Sequence, residues 1–134
     1  ALTNKQIVVN NPSLWRPLID IRDVVTAYIR CIESNLEISG IYNISYDNYT
    51  IGRLADDIKD ELNTLGFQTS ILTKNVKDVR NYKVTNKKAK WELDFVAKYS
   101  PKDSVRDIIQ NLDLENIDFD ENRYYNIKMF KDIF

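Results

Sequence analysis

The stretch Trp15-Arg16-Pro17-Leu18-Ile19-Asp20-Ile21-Arg22-Asp23-Val24-Val25 changes its hydrophobic period partway along. Leu18 to Ile21 reads as a short strand, with Pro17 at its first position, where a missing N–H costs least. Asp23 is a good N-cap, a short carboxylate able to accept from the unpaired N–H groups of a first turn. Beyond it Val24, Ala27, Tyr28, Cys31 and Ile32 recur at helical spacing, which predicts a helix from about Val24 to Ser34. Cys31 on that face reads as a buried core thiol, since no basic activator stands beside it.

Upstream, Lys5 to Val9 is β-branched and ends in an Asn10-Asn11-Pro12 turn, which predicts a strand. Downstream, Gly40 opens a further strand-like run, Ile41 to Ser45, and Asp47, Asn48 and Thr50 supply turn and cap chemistry. Leu54, Ala55, Ile58, Glu61, Leu62 and Leu65 mark one face of a helix from about Ile51 to Leu65, closed by Gly66. Gln68 to Leu72 is strand-like, and Tyr82 to Val84 a short extended piece. Thr85 or Asn86 caps a helix through Leu93, and the loop Ser100 to Ser104 leads into a helix over Val105 to Leu112. Strands alternate with helices, so the fold class is α/β, in one region over residues 1–112. Residues 113–134 form a C-terminal arm, acidic first and then aromatic and basic, expected to pack on the body or on another chain.

Composition removes several kinds of chemistry. The 134 residues carry 19 Lys plus Arg against 20 Asp plus Glu, so no global charge draws the chain to nucleic acid or an anionic membrane. The chain has no His, which removes Ser-His-Asp and Cys-His catalysis and His-bearing zinc sites. A single Cys excludes an intrachain disulfide and a Cys-cluster metal site. Gly40, Gly52 and Gly66 lie too far apart to make a phosphate-cradling loop. No apolar run is long enough to span a bilayer and no signal peptide is visible, so a cytoplasmic location is expected. The first residue is Ala rather than Met, consistent with a processed or excised segment.

The segment Trp15 to Val25 resembles a hallmark of the extended short-chain dehydrogenase/reductase family of nucleotide-sugar epimerases and dehydratases. There an Arg precedes a short strand that ends in an acidic residue starting a helix. Further landmarks follow in that family's order: Ile41-Tyr42-Asn43-Ile44, then Tyr49-Thr50-Ile51 with Leu54. Asp78-Val79-Arg80-Asn81-Tyr82 comes next, followed by Asn86-Lys87-Lys88-Ala89 with Glu92-Leu93-Asp94-Phe95, and then Ser104-Val105 with Asp107-Ile108-Ile109. The match runs from about Ile7 to Leu112 and corresponds to the C-terminal, substrate-binding portion of such enzymes. Their Gly-rich cofactor loop and catalytic Tyr-x-x-x-Lys lie upstream. Tyr124 and Lys128 have that spacing by chance, after all the landmarks.

The resemblance implies that a complete enzyme binds NAD or NADP in an N-terminal Rossmann portion and acts on a nucleotide sugar. This chain alone is expected to bind no cofactor, to hold no catalytic residue or metal, and to be catalytically silent. The resemblance makes Arg16 the diphosphate contact, a role that suits a guanidinium fork, which holds two phosphate oxygens and stays charged; the alternative is a surface pairing with a neighbouring carboxylate such as Asp20. Arg80, Lys74 and Lys77 are candidates for the second cation, because no Arg stands just before Asp78. The backbone of Ile7 to Val9 matches a strand lying against the base, and Trp15 is either a packing anchor or part of the pocket wall. Trp91 is expected in the core. Asp20 replaces a common His, and Asp94 stands where the family turns on Gly, a place where Asp tolerates a left-handed backbone. The isolated chain should expose apolar surface and be marginally stable or self-associating.

Overall fold

The computed structural model describes residues 1–77, 80–113, 116–119 and 121–133. Asp78 and Val79 of the Asp78–Tyr82 motif, and Glu115 and Asp120 of the arm, lie outside the described residues. The fold is mixed α/β, with short strands alternating with helices in the order β1 (Gln6–Asn10), β2 (Trp15–Leu18), α1 (Ile21–Glu33), β3 (Asp47–Thr50), α2 (Ile51–Thr64), β4 (Ser70–Lys74), α3 (Lys87–Leu93), α4 (Pro101–Asn111) and α5 (Asn126–Ile133). A 3-10 turn, Asn122–Tyr124, precedes α5. Two small sheets result: β1 pairs with β4 in parallel, and β2 with β3 antiparallel, Arg16 standing opposite Tyr49 and Pro17 opposite Asn48.

The strand after Pro12 starts earlier than expected. It covers Trp15–Leu18 rather than Leu18 to Ile21, and Pro17 sits inside it. In a two-stranded ribbon each strand is an edge, so a residue without an N–H is tolerated. Asp20, not Asp23, is the N-cap of α1, accepting from the Arg22 N–H, and the helix begins at Ile21. Asp23 is buried; its carboxylate accepts from the backbone N–H groups of Lys98 and Tyr99 at 3.0 Å and ties α1 to the segment entering α4. Helix α4 likewise starts earlier than Val105, because Ser100 and Asp103 form a reciprocal capping box with Pro101 in the first turn.

Helix α2 matches expectation: Thr50 caps it, Ala55, Glu61 and Leu62 are buried, and Gly66 follows its end at φ +90°. Asp94 takes the left-handed conformation (φ 50°) that ends α3, so the turn survives without Gly. Beside it, Ala27, Ala89, Leu93 and Phe95 form a buried cluster against which Ile19, Ile38, Tyr42, Ile44 and Ala97 pack.

Several expectations of burial or pairing fail in the same direction. Cys31 is exposed, and Trp91 is 84% exposed. Ile41 to Ser45 joins no strand ladder among the described residues. Only the Asp23 and Ala27 side of α1 is buried, whereas Ile21, Val25, Tyr28, Ile29 and Ile32 are between 47% and 83% exposed. Their spacing puts them on one continuous stripe. Each such side chain left in water forgoes about 1.5–3 kcal/mol. None of the described residues covers that stripe, which is why a pattern that predicts burial yields exposure. On the arm, Tyr125, Ile127 and Phe130 are also exposed. No described helix is long and apolar enough to cross a membrane.

Candidate functional site

The β2–β3 ribbon carries the first candidate group. Arg16 lies in mid-ribbon, partly buried, and its Nη1 donates to the carbonyls of Trp15 (2.7 Å) and Arg80 (2.5 Å). The guanidinium thus meets the backbone of Arg80, a residue 64 positions away. The Arg16 guanidinium carbon also stands 5.7 Å from the centre of the Tyr82 ring. Trp15 donates its backbone N–H to the Asn81 side chain at 2.9 Å, and the Lys83 ammonium lies 3.5 Å from the centre of the Trp15 ring. Residues 80–83 therefore run along β2, bringing the Arg80 backbone to Arg16 and the Lys83 ammonium to Trp15. Asp20, the alternative partner for Arg16, is instead held by Arg22 through two contacts of 2.8 Å.

The remaining expected residues belong to the other sheet. Ile7 pairs with Ile71 and Val9 with Thr73. Val9 is buried, so its side chain is core, and what β1 can offer a ligand there is backbone. Lys74 ends β4 opposite Asn10, and Lys77 follows; both are exposed. Asn11 joins this exit to β1: its own N–H donates to the Lys74 carbonyl at 2.9 Å, and its side chain pairs with Val76. Among the described residues no group of three or more His, Cys, Asp and Glu could hold a metal ion.

A second concavity, about 250 Å³, opens between α2, α4 and the start of α1, with Leu54, Ile58, Tyr99 and Val105 in its wall. At its polar end Arg22 grips Asp20 and lies 3.9 Å over the Tyr99 ring, while the Ser104 hydroxyl donates to Asp20. The Arg22 hydrogen bonds hold the Asp20 carboxyl well below the usual carboxylate range, against the opposing effect of burial. The same pairing raises the guanidinium of Arg22. This ion pair fastens α1 to α4, and its members are all engaged with one another.

Asn48, Asn81 and Lys83 were not legible as site residues. An Asn that grips a distant backbone has the same sequence signature as an Asn that makes a turn, and Lys83 is one of many lysines.

No protein-family model matches the sequence, and no curated protein matches it by sequence. The fold does match solved structures. ADP-L-glycero-D-manno-heptose-6-epimerase of Helicobacter pylori superposes with a TM-score of 0.68 at 16% identity, over 87% of this chain and 35% of that one. L-threonine dehydrogenase of Phytophthora infestans gives 0.67 at 16% identity, over 86% and 39%. UDP-glucose 4-epimerase of Bifidobacterium longum, in complex with NAD+ and UDP, gives 0.61 at 17% identity, over 80% and 36%. The chain thus has the fold of part of the epimerase and short-chain dehydrogenase type of enzyme, and spans little more than a third of each.

The glycines test whether this chain could cradle a dinucleotide. Gly66 ends α2; Gly52 lies in α2 with Pro12 3.2 Å from where a Cβ would stand; Gly40 faces the Lys88 ammonium. The three stand apart in the fold, Gly66 in open space at φ +90°, and form no Gly-rich loop.

Proposed function

We propose that this chain is the C-terminal, substrate-binding part of an NAD(P)-dependent nucleotide-sugar epimerase or dehydratase, and that Arg16 binds the substrate's diphosphate. The observation that carries the reading is the meeting of Arg16 with residues 80–83 along β2, where the Arg16 guanidinium reaches the Arg80 backbone and the Lys83 ammonium lies over the Trp15 ring. Paired guanidinium and ammonium groups suit a diphosphate, and an aromatic ring beside them suits a base or sugar face. Lys74 and Lys77 add positive charge at the exit of β4, and the Ile7 to Val9 backbone pairs on one side with β4 and on the other with no described strand. The UDP held by the Bifidobacterium longum epimerase is the kind of ligand that this set would take.

Two further observations support the reading that the chain is a part. The exposed stripe of α1 needs a cover, and Ile41 to Ser45 needs a strand beside it. A Rossmann portion holding the cofactor and the catalytic Tyr and Lys would supply both. A stand-alone binding module of the same descent is the competing account; it must cover the stripe by self-association.

Calorimetric titration with UDP tests the site. Wild type should bind, and Arg16→Ala should lose about tenfold or more in affinity, as expected for a charge-assisted contact. Equal binding by the two proteins contradicts the assignment. The reading frame upstream tests the rest: it should encode a Gly-rich loop and a Tyr-x-x-x-Lys, and a start codon immediately before residue 1 contradicts the part-enzyme reading.

A further inference from the structure

We propose that Asn11 and Asn48 are positioning residues of the diphosphate site, each gripping the backbone of a basic segment and fixing where its cations stand. The inference rests on the reading of Arg16 as the diphosphate contact. Asn48 donates through Nδ2 to the Val84 carbonyl and accepts through Oδ1 from the Val84 N–H, both at 2.9 Å. Asn11 does the same to Val76, at 2.7 and 2.9 Å. Each amide therefore copies the paired N–H and C=O of a neighbouring strand. One atom faces a donor and the other an acceptor, so the orientation of each amide is dictated by its partner.

Both grips act where the chain has no ladder of its own. Residues 75–77 and 80–84 are in no helix or strand, yet they carry Lys77, Arg80 and Lys83. Asn48 sits in β3 opposite Pro17, one register step from the Arg16–Tyr49 pair, so its grip on Val84 is referenced to the strand that carries Arg16. Asn11 sits just beyond β1 at φ 52°, a left-handed backbone that Asn tolerates well. Between them the Asn81 side chain accepts from the Trp15 N–H. An amide is the suited group. It offers a donor and an acceptor side by side, and it brings no negative charge to a place meant for an anion. Holding the cations in place before the ligand arrives removes an ordering cost from binding.

The test is calorimetric titration of the full chain with inorganic pyrophosphate, with the melting temperature recorded for every variant. Wild type should bind. Asn48→Leu and Asn11→Gly, the latter keeping the positive φ, should each weaken binding about tenfold. Asn48→Gln, which retains the amide, should recover part of that loss. Asn63→Ala is the structural comparison: its side chain accepts from the Thr69 N–H in the α2–β4 connection, so it should lower the melting temperature and leave pyrophosphate affinity unchanged. Folded Asn48→Leu and Asn11→Gly proteins with wild-type affinity overturn the positioning role alone. Should Asn48→Leu fail to fold, Asn11→Gly decides. A wild type that ignores pyrophosphate, or an Arg16→Ala protein that binds it equally well, overturns the site and this proposal with it.

Discussion

Asp20 and Asp23 are three residues apart and do different work. Asp20 caps α1 and holds Arg22, whereas Asp23 is buried and accepts two backbone N–H groups from residues 98 and 99. Asp20 is held well below the usual carboxylate range, and Asp103 is lowered too, by Ser100 first. A carboxyl depressed in the folded state contributes stability that is complete above its unfolded pKa of about 3.9 and drains as pH falls toward the folded value. The melting temperature should therefore hold from pH 7 to about 5 and fall below pH 4. Asp20→Asn should lower it at pH 7 and flatten that acid limb, as a melting series from pH 7 to pH 3 would show. An unchanged limb means that Asp20 does not drive the acid response. Which Asp caps the helix was not legible in the sequence, because both are good caps and the choice depends on residues 98 and 99, which are distant in the chain. Arg16 stands out in the sequence through the resemblance of Trp15 to Val25, whereas the amides that hold the neighbouring backbone carry no such signal.

At the scale of elements, α2 and α4 are joined by the buried Glu61 carboxylate, which takes Arg106 at 2.6 and 3.0 Å. The pair raises the Arg106 guanidinium. Arg106 is itself about half exposed, so the two partners should not be equivalent. Arg106→Met leaves an unpaired carboxylate in the interior and should lower the melting temperature by about 5 °C. Glu61→Met leaves a cation that can reach water and should cost less. Equal losses contradict this asymmetry. Helix α2 was legible because cap, apolar face and terminal glycine agree in its own sequence. Ile41 to Ser45 reads as a strand in the sequence but forms none in the structure, because a strand needs a neighbour and none of the described residues supplies one. The same holds for α1, where the 3.6-residue period marks an apolar face and the chain buries only its Asp23 and Ala27 side.

At the scale of the whole molecule, the two edges left open lie on consecutive segments, α1 and then Ile41 to Ser45. A single sheet supplied from outside could take the strand at its edge and the helix on its face, which is how parallel sheets cover themselves. The α/β class followed from alternating periods, but the division into two small sheets did not, because pairing partners are chosen across long separations. The arm at 113–134 remains a proposed addition to the body.

Amide hydrogen exchange at residues 41–45, in the chain alone and in the chain co-expressed with the polypeptide encoded immediately upstream, tests the part-enzyme reading most directly. Alone, these amides should exchange as fast as a loop while those of α2 stay protected, and the upstream polypeptide should slow them to the rate of a ladder. Protection already present in a monomeric isolated chain, or no change on co-expression, would contradict it.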